Sequence, residues 1–411
     1  MTTDDPLAGL DDIAWDSLSH AYGSAEDVPD LLRALLSDDA EVRKEVMWAL
    51  LSNIYHQGTR YEATSYAVPF LARLALNEAT PERDHIVGLL SAIAIGFDAA
   101  YLPQGYDPDV DRQALAEVRT ETPESWERKL DAWVAEESDE WQRKFRERMR
   151  PFKSLESTVR NAETVVRSYE AVRNELSALT GLLEVEDPGL RTEVAYLLSW
   201  FPEAAETSVP ALIAMAGTET APGPVATAIV ALGLLGGPEV IPVVRPYAAG
   251  SEPVLRWAGA VALARLGAAT PEVVANLAAA TVEPPPDVTP PVPFLQGDYR
   301  GLAAKSLVTA AEIITPAILD AVLTGLSRSS EEGSFEITAA TLRLTFPTGA
   351  LDPLPPFDEL TEPQRRVVRT LTQMGRSTWS WGNFTDILGD WGLPQNHDEL
   401  CAYAGIPGPT P

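Results

Sequence analysis

The chain has 411 residues, with 60 acidic and 31 basic side chains and a formal net charge of −29. Such a field repels phosphate backbones and anionic membrane surfaces, so no nucleic acid or membrane is expected among its partners, and a basic protein is favoured. A single cysteine, Cys401, excludes an internal disulfide framework and a multi-cysteine metal site, while 45% hydrophobic residues suffice for a sizeable core.

Taken in chain order, the N-terminal stretch MTTDDPLAGLDDIAW carries acid where a secretory leader carries base and lacks an apolar segment, so a cytoplasmic location is expected. The first helical pair is predicted over Val28 to Ile54, VPDLLRALLSDDAEVRKEVMWALLSNI. Leu31, Leu32, Leu35 and Leu36 form one apolar stripe, and Val42, Val46, Ala49 and Leu50 a second, both at helical spacing. Asp38 and Asp39 suit the turn and the next helix start, where a carboxylate accepts free backbone N–H groups.

The polar turn His56-Gln57-Gly58-Thr59 follows. Gly58 permits a positive φ, Thr59 is placed to cap the next helix, and His56 and Gln57 are placed to bond the last carbonyls of the previous one. That is a structural role. The alternative is a ligand or partner site formed by His56, Gln57, Tyr61 and Glu62. The segment His20-Ala21-Tyr22-Gly23 is similar in composition and leads into the first pair, so it belongs nearby.

Residues 98–160 interrupt the helical pattern. YLPQGYDPDV gives way to a charged helical stretch holding Trp126, Trp133 and Trp141. Trp126, Leu130, Trp133 and Val134 share one helical stripe, which either packs on the rest of the fold or contacts a partner. Arg143, Lys144, Arg146, Arg148, Arg150 and Lys153 form the one concentrated basic cluster, with Glu136, Glu140 and Glu147 as expected helical partners.

Three further pairs are predicted over Glu175 to Glu203, Val209 to Gly236 and Val240 to Gly267. Their second helices open at Arg191, Ala226 and Arg256, in steps of 35 and 30 residues; Arg43 to Arg83 is 40, and Arg256 to Arg300 is 44. Steps of that size match two-helix repeats. Pro188, Pro222, Pro253 and Pro271 fall at helix starts, where a missing N–H costs little. Val282 to Gly297 holds six prolines and reads as an extended connector. In residues 351–411, Thr361 caps a helix, and Trp379, Trp381, Phe384 and Trp391 follow. These aromatics either cover the last repeat or form a ligand surface.

The segments DDAEVRKEVMWAL, EDPGLRTEVAYLL and SEPVLRWAGAVALARLG resemble HEAT repeats over most of Val28 to Phe346. More narrowly, NIYHQGTRYEATSYAVPFLARLAL and LTEPQRRVVRTL resemble a group of bacterial HEAT-repeat proteins of unassigned activity. The resemblance implies an all-α, armadillo-like α-solenoid, a right-handed superhelix of antiparallel helix pairs with a charged helical insertion and a C-terminal helical cap. The expected divisions are 1–97 for an N-terminal cap and first repeats, 98–160 for the insertion, 161–350 for further repeats with the Pro-rich loop at 282–297, and 351–411 for the cap.

GxGxxG, Walker, HExxH, GxSxG and CxxC patterns are all missing, so no catalytic residue, metal or cofactor is expected. The resemblance implies non-catalytic protein–protein recognition, with the acidic surface steering a basic partner. One form would be an immunity protein that neutralises a basic toxin such as a nuclease. The alternative is a HEAT-fold enzyme or ligand-binding protein of lyase or glycosylase type, its pocket lined by Trp126, Trp133, Trp379 and Trp381. A monomer and a homodimer joined through the insertion are both compatible with the sequence.

Overall fold

The computed structural model describes residues 5–136, 140–310, 312 and 314–406. Glu137 and the side chain of Trp141 lie outside the described residues. The chain forms two compact units, Met1–Phe97 with Tyr106–Leu182 and Asp98–Gly105 with Leu183–Pro411. Among the described residues both are all-α, apart from two hairpins of two-residue strands in the first.

In the first unit, α1 (Val28–Ala34) packs on α2 (Ala40–Asn53). Asp39 caps α2 by accepting the Glu41 N–H at 3.0 Å. Such caps contribute about 0.5–2 kcal/mol. The buried line of α2 is Val46, Leu50 and the following Ile54; Val42 and Leu36 are exposed. The expected stripe is therefore rotated. Arg43 takes the place next to the turn, donating Nη1 to Ser37 O at 2.9 Å and pairing with Glu82.

Central to this unit is α3 (Glu62–Leu76), packed on α4 (Arg83–Ile95) and α8 (Leu155–Leu179). Its buried Ala63, Ala67 and Ala72 allow close approach, while Val68, Phe70, Leu71 and Leu74 fill the core. Full burial of each large side chain stabilises by about 1.5–3 kcal/mol. Next come α5 (Pro108–Val118), which packs on α8, and α6 (Pro123–Ala135), which packs on α7 (Glu140–Met149). The buried positions of α8, Thr164, Ser168, Tyr169, Val172, Leu176 and Leu179, keep helical spacing, so the helix runs straight through residue 160.

The second unit stacks α9 (Pro188–Leu198), α11 (Pro222–Leu235), α13 (Pro253–Arg265), α15 (Tyr299–Thr309) and α17 (Phe335–Thr345) side by side. Between them in sequence come α10 (Ala205–Thr218), α12 (Ile241–Ala248), α14 (Pro271–Val282) and α16 (Pro316–Ser327). α10 packs on α11, α12 on α13, α14 on α15, and α16 on α17. α11 is buried along nearly its whole length, as its uniformly apolar sequence requires. A Cβ at Gly233 would stand 2.6 Å from Ala262 Cα, so only glycine admits this approach of α11 to α13.

Arg43, Arg191 and Arg256 follow their N-caps Asp39, Asp187 and Glu252 at one common spacing. Each donates Nη1 to the carbonyl six residues back: Ser37 at 2.9 Å, Val185 at 2.6 Å and Gly250 at 3.1 Å. The recurring arginine thus ties down the turn between two helices.

Residues 98–105, the start of the stretch set apart in sequence, lie in the second unit. Asp98 bonds Tyr196 and Leu295, and the Ala99 carbonyl accepts from Lys305 Nζ at 2.9 Å. The unit ends in α18 (Glu362–Thr372), α19 (Arg376–Trp379), α20 (Gly382–Gly389) and α21 (His397–Tyr403). Their Val367, Leu371, Phe384, Leu388 and Leu400 form one core cluster with Ile337 and Leu342 of α17.

Candidate functional site

The polar turn is a β-hairpin. β3 (Tyr55–His56) pairs antiparallel with β4 (Thr59–Arg60). Gln57 and Gly58 both have positive φ, 48° and 85°, the conformation that a two-residue hairpin turn with native twist demands. Thr59 is consequently a strand residue and not a cap. Thr64 does that work: its hydroxyl accepts the Tyr61 N–H at 2.7 Å and donates to Ile54 O. The Asn53 carbonyl is taken by the Ala21 N–H at 3.0 Å. The carbonyls expected for His56 and Gln57 therefore already have partners.

A second hairpin, β1 (Ser19–His20) with β2 (Gly23–Ser24), lies against the first. Its Tyr22 ring meets His56 edge-on, with centroids 5.7 Å apart, and meets His20 at 6.3 Å. His20 is fixed at both nitrogens. Nδ1 accepts the Tyr22 N–H at 3.0 Å, so Nε2 carries the proton toward Asp27 Oδ1 at 2.9 Å. The Ser19 hydroxyl donates to Glu62 Oε2 at 2.9 Å. Tyr61 sits at the start of α3, and burial, with the nearby Tyr22 phenol adding, raises its pKa.

Four sequence-predicted residues, His56, Gln57, Tyr61 and Glu62, are thus on one surface, joined by Ser19, His20 and Tyr22. Phe97 completes it. The Phe97 ring lies over the turn, so close that a Cβ at Gly58 would come within 2.9 Å of it. Phe97 is separated from the hairpin by two helices, and only the paired glycines Gly58 and Gly96 hinted at a close approach. Tyr22 is 66% exposed and Phe97 53%. A groove of about 500 Å³ adjoins the cluster, with Glu62 and Tyr66 on one wall and Arg160, Glu163 and Arg167 of α8 on the other. Arg167 and Arg119 both pair with Glu163, so the groove balances its own charges.

The four tryptophans have different surroundings. In the first unit, Trp126 Nε1 donates to Lys153 O at 2.8 Å. Trp133 is covered by Arg146 and Lys153, at 5.3 and 5.1 Å from its ring centre. Arg150 pairs with Glu127 and Asp131, and Lys144 with Glu140. The basic cluster is largely spent on its own helical hairpin. In the second unit, Trp379 packs between Phe384 and His397. Trp381 touches Phe335 edge-on and stays 36% exposed. Cys401 is buried in the same region, and burial pushes its thiol pKa up.

Among the described residues, no group of three or more His, Cys, Asp or Glu side chains is arranged to hold a metal, and no helix is long and apolar enough to cross a membrane. No family model matches the chain, and neither does any curated protein. Among solved structures the chain is similar to the crystal structure of an engineered protein, at 15% identity over 92% of this chain and 97% of that one, with a TM-score of 0.25.

Proposed function

We propose that the protein is a non-catalytic recognition scaffold of HEAT type, cytoplasmic, that binds a basic protein through the paired hairpins of its first unit. The observation that carries this reading is Tyr22: two-thirds exposed, yet held in place by a ring contact on each side and by a backbone bond. Aromatic anchors that are fixed before binding lose little entropy on contact and dominate interface energies. His56 and Gln57 supply polar contacts beside it. The net charge of −29 would steer a basic partner and make the association sensitive to salt. In its specific form the partner is a basic toxin, such as a nuclease, that the protein neutralises.

The test begins with capture of partners from native lysate at low and high salt. A basic protein is expected, held more weakly at high salt. Y22A should weaken its affinity at least about tenfold, the loss expected of an interface anchor, and leave the melting temperature unchanged. Full affinity in Y22A would overturn the assignment of this surface. A partner bound equally at both salt concentrations would overturn charge steering. Rescue of cells from the partner's toxicity by co-expression would support the immunity form.

A further inference from the structure

A second site, independent of the recognition surface, lies in the second unit. Its basis is a reversal of charge at a repeated position. Arg191 pairs with Glu219, the residue that ends α10, through Nε at 2.7 Å and through Nη2. The residue that ends α14 is Glu283, which lines a groove of about 590 Å³ with Arg256 but forms no ion pair with it. The residue that ends α16 is Arg328. Here a guanidinium stands where α10 and α14 end in a carboxylate, and the charge of Arg328 acts on Arg300.

Arg300 and Arg328 line one pocket of about 300 Å³, together with Ser329, Ser330, Asp287 and Asp298. Each arginine has a structural task. Arg300 Nη1 reaches Gly325 O and Arg328 Nη1 reaches Val282 O, both at 3.3 Å, near the C-terminal ends of α16 and α14. These long bonds use one of the five N–H donors of each guanidinium. Arg300 Nε is buried and has no hydrogen-bond partner. Burial lowers the pKa of Arg300, and the charge of Arg328 lowers it further, against the opposing pull of Asp298.

The two carboxylates do not resolve this. Asp298 is committed to the first turn of α15, where Oδ1 accepts the Gly301 N–H at 2.8 Å, and burial raises its pKa. Asp287 is exposed. Neither forms an ion pair with Arg300 or Arg328. Both oppose any bound anion, so the site favours one that two guanidinium groups hold together. The fork of an arginine matches the oxygens of a phosphoryl group, and Ser330 adds an exposed hydroxyl. The volume is at the small end of ligand pockets, roughly 300–1,000 Å³.

We propose that the Arg300–Arg328 pocket binds the phosphoryl group of a small phosphomonoester. Titrations with inorganic phosphate and with glycerol 1-phosphate, against sodium chloride at equal ionic strength, test this by calorimetry and melting temperature. Both phosphates should bind and raise the melting temperature beyond chloride, the ester more tightly. R328E places a carboxylate at the end of α16, as Glu219 stands at the end of α10. It should hold or raise the melting temperature without ligand and weaken phosphate binding at least tenfold. R328A, which leaves Arg300 alone, should weaken binding similarly and serves if R328E does not fold. Equal phosphate affinity in wild type and either variant, or no response beyond chloride in wild type, would overturn the site. Equal affinity for the two phosphates would overturn the ester as its ligand.

Discussion

Asp98 is a buried carboxyl group whose Oδ2 accepts the Leu295 N–H at 2.8 Å and the Tyr196 hydroxyl at 3.0 Å. Leu295 and Gln296 both adopt the left-handed conformation, at φ 50° and 55°, at a cost of about 1–3 kcal/mol each for non-glycine residues. The acceptor oxygen helps pin that turn. The charge is another matter. Burial raises the pKa of Asp98, and the two hydrogen bonds only partly offset it. A carboxyl raised on folding favours the folded state below its unfolded value, about 3.9, and costs stability as pH rises through the folded value. D98N keeps an acceptor oxygen and removes the charge. It should melt higher than wild type near pH 7, with the gain vanishing below about pH 4. Melting curves from pH 4 to pH 8 check this, and a variant less stable at pH 7 would show that the charge itself holds the turn.

Helices in this protein are joined by pairs that differ from junction to junction. Arg191 and Glu219 are mostly buried, at 16% and 6% side-chain exposure. Burial disfavours the Glu219 carboxylate, but the Ala221 N–H, Arg191 and the Thr220 N–H together hold its pKa below the usual range. Its contribution is therefore present above the unfolded value and lost as pH falls through the folded one. R191M leaves that carboxylate buried without a counter-charge and should destabilise by about 3–5 kcal/mol. The double variant R191M/E219L should recover most of the loss, measured by chemical denaturation. Arg43, Arg191 and Arg256 were legible in sequence because each follows an acidic N-cap at fixed spacing, whereas Arg83 opens α4 directly after Glu82. Arg300 was legible as an arginine but not in register: it is the second residue of α15, and the six-proline loop before it hid the shift. The hairpins were illegible because two-residue strands carry no periodicity. Only Gly58 marked the turn, and it fits a helix-to-helix loop equally well.

At the scale of the whole molecule, the net charge of −29 opposes compaction, and the ion pairs between helices offset this only locally. Raising ionic strength from about 10 to about 150 mM shortens the screening length from roughly 30 to 8 Å. The melting temperature should rise across that range, since long-range repulsion is screened more than the buried pairs. A fall would mean that attractive surface pairs dominate. The all-α class was legible from helical periodicity, and the nearness of His20–Gly23 to His56 followed from chain order. The division into units was not. Nothing in YLPQGYDPDV marks the passage of the chain from one unit to the other between Gly105 and Tyr106.

The close contacts of the second unit carry one more consequence. Gly233 fits against Ala262, Gly259 against Ala248, and Gly325 against Thr281, each at a different helix junction. Arrays of equal repeats gain and lose members readily, because every junction accepts every neighbour. Here these three junctions each have their own close fit, and the charges at the helix ends differ as well. Excising or duplicating one helix pair would set mismatched surfaces together. A variant with one helix pair of the second unit excised or duplicated should therefore unfold more readily than the intact chain, as chemical denaturation would show.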